Sequence, residues 1–102
     1  MSYKSDRSNF TDISQRTKEI VWERDGQRCI FCGSHQAMPN AHIQSRAYGG
    51  SGQEENIVTA CFQCHHMLDQ TTHRKDMLEH AKQYLISIYE DWEEMDFTYR
   101  RD

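Results

Sequence analysis

AHIQSRAYGGSGQEENIVTACFQCHHMLD, residues 41–69, is the stretch that decides how this chain folds. It contains Cys61 and Cys64. Cys29 and Cys32 stand ahead of it, so two Cys-x-x-Cys pairs face each other across twenty-eight residues, Gly33 to Ala60. Two such pairs are the ligand pattern of tetrahedral structural zinc, which ties distant pieces of chain together. The residues also admit two disulfides, in any of three pairings. The amino terminus, MSYKSDRSNF, has no apolar run of signal-peptide length and no segment is long enough to span a bilayer. The expectation is therefore a cytoplasmic protein that makes no use of a membrane, whose thiols stay reduced and bind zinc. A clamp alone has no need of His42, His65 and His66, and these mark the stretch for chemistry.

With 102 residues, 36% apolar and 27% charged, the chain has material for one small core that needs a staple. Its net charge of −4 looks wrong for a partner of nucleic acid, but the excess is local. Residues 1–78 carry nine Lys/Arg and nine Asp/Glu, whereas residues 79–102 carry three and seven. A four-thiolate zinc would add about two negative units at the clamp. A polyanion must then be met by particular arginines and a second cation, not by a basic field.

Read in order, residues 1–10 are polar and expected to be flexible, and 11–102 form a single domain. Thr11 and Asp12 are candidate caps for a helix from about Ile13 to Arg24, whose stripe is Ile13, Thr17, Ile20 and Val21, with Trp22 beside it. Asp25-Gly26 stops it. RCIFCG (28–33) reads as a zinc knuckle, Ser34 to Pro39 as a loop, Ala41 to Ile43 as a short strand, and NIVTA (56–60) as the return strand of a long-looped hairpin. The clamp and hairpin-helix core span about 28–70. A helical extension, about 71–97, starts near Thr71 or Thr72 and runs to Trp92 or beyond. Its stripe of Met77, Ala81, Tyr84, Leu85, Ile88 and Trp92 is expected to pack on the first helix. Glu90 to Phe97 is an acidic exit, either a solvated face or a docking patch for a protein partner. An exposed Tyr89/Trp92 edge would be a place for two copies to pair, and the oligomeric state is open.

His65 and Asp69 are four apart after a clamp cysteine and share one helix face. An imidazole and a carboxylate so spaced make half a divalent-metal site, with positions left for water and phosphate. If the clamp folds the hairpin onto that helix, His42 faces the pair and can take a proton from water. That is the equipment of metal-assisted phosphodiester hydrolysis.

AHIQSRAYGG, Asn56 in NIVTAC, and CFQCHH together resemble the His-Asn-His (HNH) endonuclease family, of the type with an added four-cysteine zinc. The likeness covers roughly Arg24 to Asp69, and the tail is similar, more weakly, to small phage or prophage members. It implies an α+β zinc-bound domain with a ββα-metal core, a helix before it and a long helix after. It also implies DNA as partner, and cleavage or nicking that leaves 5′-phosphate and 3′-hydroxyl ends. Residue by residue, it places the general base on His42, the hairpin-holding asparagine on Asn56, and the ligands of a catalytic Mg2+, Mn2+ or other transition metal on His65 and Asp69. Structural zinc falls on Cys29, Cys32, Cys61 and Cys64. Arg46 is the arginine expected on a phosphate. Many members carry Asp or His before the base as a further ligand, where this chain has Ala41. Glu54 or Glu55 could reach the site instead, while His66 is offset by about 100° from His65 on a helix. His35, His73 and His80 are read as surface residues. A non-catalytic zinc module binding DNA or protein, and a purely structural zinc domain, are the competing readings.

Overall fold

A computed structural model of the chain describes residues 10–46, 49–70 and 72–97. Most of the expected flexible terminus, the Thr71 helix start and the end of the chain after Phe97 lie outside these. The elements are α1 (Gln15–Arg24), β1 (Ala37–His42), β2 (Ile57–Cys61), α2 (Phe62–Gln70) and α3 (Arg74–Ile88), with 3-10 turns at Glu54–Asn56 and Trp92–Glu94. β1 and β2 form a two-stranded antiparallel hairpin. α2 follows β2 directly, which gives a ββα unit with α1 before it and α3 after. Among the described residues, no helix is long and apolar enough to cross a membrane.

α1 starts later than Thr11 and Asp12 suggest. Ser14 is the cap, its hydroxyl accepting from the Thr17 N–H at 3.1 Å. Thr11 and Asp12 face the hairpin instead. Gly26, at φ 73°, closes the helix in the left-handed region. Asp25, beside it, does more than stop a helix. Its fully buried carboxylate accepts from Arg24 Nε (2.8 Å), the Tyr84 hydroxyl (2.6 Å) and the Thr59 N–H (2.8 Å). Arg24 in turn donates to the Ile57 and Glu54 carbonyls, at 2.6 and 2.7 Å. Burial opposes the charge on Arg24, but its bonds to Asp25 and Tyr89 outweigh that and raise its pKa. Burial and the bond to Asp25 push the Tyr84 phenol up to about 12. This network locks the end of α1 to the hairpin and to α3. Asp25→Ala would strand a buried guanidinium and a strand N–H. We expect it to cost about 3–5 kcal/mol, read as a lower urea midpoint of the metal-loaded protein. A loss below about 1 kcal/mol would contradict the network's role.

β2 is buried along its whole length. Val58, Ala60 and Cys61 enter the main core with Ile43, Leu68, Ala81, Leu85, Trp92 and Phe97. Ile57 and Thr59 alternate with them, are also fully buried, and lie on a strand against which α1 packs. β1 begins at Ala37, inside the stretch expected to be loop, and ends at His42, with Ile43 beyond it. α3 is shorter than its stripe implies. Tyr89 leaves the helix in an extended conformation (φ −114°, ψ 111°). Its hydroxyl donates to Glu54 at 2.7 Å, and Trp92 Nε1 donates to the Glu55 carbonyl at 2.6 Å. These anchors fold the chain back over the hairpin loop, so Ile88 is left exposed and Trp92 is buried against its own chain at 8% exposure. Trp92 therefore offers no pairing edge. α3 packs on α2 and reaches the end of α1 through Tyr84 and Tyr89 rather than lying along that helix.

Candidate metal centre and active cleft

The four cysteines converge. Their sulfurs all lie within 4.8 Å of one another, and Cys32 and Cys61 Sγ are 3.6 Å apart. Tetrahedral zinc, with bonds of about 2.3 Å, sets its sulfurs about 3.8 Å apart, so the site fits a metal ion such as zinc. All four are free thiols, and 3.6 Å is far beyond a sulfur–sulfur bond. The backbone is turned for the purpose: Phe31 N–H donates to Cys29 Sγ and Cys64 N–H to Cys61 Sγ, each at 3.4 Å. The second bond also caps α2 at its first turn. Burial opposes ionisation of Cys29, but N–H groups of Cys61, Cys32 and Phe31 bring its thiol down to about 7. Burial and the neighbouring sulfurs hold Cys64 above its usual value. A bound cation would let all four ionise together.

α2, fixed at its start by the clamp, carries His65 and Asp69 on one face, with Nδ1 to Oδ2 at 3.2 Å. Adjacent ligands on an octahedral cation with bonds of about 2.1 Å are about 3.0 Å apart, so the pair fits a divalent ion in neighbouring positions. Their side chains are 36% and 46% exposed, which leaves room for water and substrate. Both line an open cleft of about 840 Å³ together with His42 and Arg46 from the hairpin. Among the described residues, the four cysteines are the only compact set of three or more His, Cys, Asp or Glu ligands. His42 thus stands across the cleft from the pair and does not join it in a three-ligand cluster.

His42 is held in one tautomer. Its Nε2 lies 2.8 Å from the Thr11 carbonyl, which can only accept, so Nε2 carries the proton and Nδ1 keeps its lone pair. Burial depresses its pKa, and the charges of Arg46 and His65 depress it further, against the pull of the Thr11 carbonyl and Asp69. A neutral imidazole with a free Nδ1 is a ready proton acceptor.

Asn56 is fully buried and pinned to the loop after β1. Its Oδ1 accepts from Gln44 N–H at 2.7 Å, and its Nδ2 donates to the Ser51 and Gln44 carbonyls at 2.8 and 3.2 Å. Gly50 lets that loop close, since a Cβ there would sit 1.8 Å from the Gln44 carbonyl oxygen.

The family model described as HNH endonuclease matches residues 29–71. Over these residues the chain is similar to HNH endonucleases. No curated protein and no solved structure matches the chain. The matched segment runs from the first clamp cysteine to just past Asp69, so the likeness takes in the clamp, the hairpin and α2.

Other residues near the cleft were not legible in sequence. Lys18 on α1, Arg74 at the start of α3, and Asp12 and Asn40 also line it. Arg46 is paired with Asp12. Arg74 Nη1 donates to the Leu68 carbonyl near the end of α2, at 3.0 Å. Lys18 and Arg74 lie more than fifty residues apart, and no local pattern signals that they meet. Glu54 and Glu55 line a different hollow, beside Thr17 and Gln53, and do not reach the cleft. His66 faces the hollow next to it. His35 Nδ1 donates to the Gln27 carbonyl at 3.0 Å. His80 packs on Phe31 of the knuckle, with ring centroids 5.7 Å apart.

Proposed function

We propose that this protein is a divalent-metal-dependent DNA endonuclease, with zinc in the four-cysteine clamp and His42 as general base. The observation that carries the reading is the tautomer-fixed His42 sharing one cleft with the His65–Asp69 pair. A divalent cation on that pair would supply positive charge to the scissile phosphate and to the leaving 3′ oxygen. His42 takes the proton of the attacking water at Nδ1, while the Thr11 carbonyl holds the ring and stabilises the imidazolium that results. Asn56 holds the loop after β1, which leads to Arg46. Arg46, Lys18 and Arg74 set positive charge around the cleft. On arrival of a phosphodiester, Arg46 exchanges the Asp12 carboxylate for another anion. These three cations come from three separate elements of a chain with net charge −4, which supports recognition of phosphate by particular residues.

Nicking of supercoiled plasmid tests the proposal. Cleavage is expected with Mn2+ or Mg2+ and none with EDTA. Gel retention without cleavage in any divalent metal would favour the non-catalytic DNA-binding module. The acid limb of the pH–rate profile is a sharper check. Because the His42 pKa is depressed, the ring stays neutral and active as pH falls through 6.5 and is protonated only below it. At saturating Mn2+, the midpoint is expected below about 6.5; a midpoint above that value would contradict the assignment. DNA affinity should fall with salt, and Lys18→Ala should reduce the slope of log affinity against log salt by about 0.9. An unchanged slope would remove Lys18 from the phosphate path.

A further inference from the structure

β1 carries one residue more than β2 between its paired segments. Met38 stands opposite Ala60 and Ala41 opposite Val58, so Pro39 and Asn40 together face Thr59. A bulge of this kind re-aims the side chains around it. Ala41 is fully buried in the core and offers no donor atom. Asn40, two residues from His42 along the strand, lies on the same side of it and lines the cleft with His42, His65 and Asp69. A second hollow, which includes Met38, Phe62 and His66, adjoins the cleft. Asn40, His65 and Asp69 are the residues that line both, so they form the rim between the two hollows. A carboxamide, an imidazole and a carboxylate, one from the strand and two from the helix, thus line one shared edge.

Resting on the function proposed above, we infer that Asn40 is a third protein ligand of the divalent cation, through its carboxamide oxygen. A hard, neutral oxygen suits Mg2+ or Mn2+. With a neutral His65 and one carboxylate from Asp69, it leaves the bound cation with surplus positive charge to meet a phosphate. An anionic third ligand would cancel that surplus.

The test is Mn2+ titration of the zinc-loaded protein without DNA, followed by electron paramagnetic resonance of free Mn2+. Asn40→Ala is expected to weaken binding about tenfold, and Asn40→Asp to tighten it by a comparable factor. Zinc content and far-ultraviolet circular dichroism should stay unchanged. If Asn40→Asp loses zinc, the alanine variant decides. Affinities of both variants within about twofold of the unchanged protein, while His65→Ala abolishes binding, would overturn the role of Asn40 and leave the cleft as a metal site. No Mn2+ binding by the unchanged protein would overturn both.

Discussion

Stripping the clamp metal with a strong chelator, or replacing Cys29 with serine, is expected to unfold the hairpin and α2 together. The sulfurs come from two segments, and Cys29 and Cys61 sit inside the core at 2% and 7% exposure. They share that core with the few apolar side chains that β2, α2 and α3 contribute. Zinc bound to such a site contributes an apparent 10–16 kcal/mol or so, as large as the whole stability of a typical domain. Loss of the metal should therefore abolish cooperative melting, and added zinc should restore it. Cys32 is the exposed corner of the clamp, so Cys32→Ser should be milder than Cys29→Ser. A chelated protein that melts cooperatively within a few degrees of the loaded one would contradict this account of the fold.

His42→Ala is expected to reduce metal-dependent nicking by about 10²–10⁴-fold, the usual contribution of a positioned general base. Its effect on stability should be small, about 1 kcal/mol, because the hydrogen bond it removes among the described residues is the one to the Thr11 carbonyl. That contrast separates His42 from Asn56, which is fully buried and makes three loop bonds, so its loss should damage folding and activity together. First-order nicking rates at saturating Mn2+, beside urea melts of the same samples, make the comparison. A His42→Ala rate within about tenfold of the unchanged protein would remove it as the base.

The ββα unit was legible because its signals are local and chemical. Cysteine spacing names the clamp, β-branched residues mark β2, and the i, i+4 spacing of His65 and Asp69 fixes a shared helix face. Elements whose limits are set by tertiary contact were not. α3 stops at Ile88 because Tyr89 and Trp92 have partners on the Glu54–Asn56 turn, and a helical stripe cannot reveal that. Thr11 and Asp12 look like caps, yet Ser14 supplies the cap and they serve His42 and Arg46 thirty or more residues away. Asp25 reads as a helix stop, and its use as the centre of a buried network depends on groups from β2 and α3. The bulge that re-aims Asn40 is a matter of strand register, which Pro39 hints at but does not fix.

In the function proposed, the clamp folds a hairpin onto α2 so that His42 Nδ1 faces a cation on His65 and Asp69. Anomalous diffraction from a Mn2+-soaked crystal tests it directly. A manganese peak is expected about 2.0–2.3 Å from the His65 imidazole and the Asp69 carboxylate, with His42 Nδ1 open to the same cleft. Manganese elsewhere, or a His42 ring turned so that Nδ1 is blocked by protein, would contradict it.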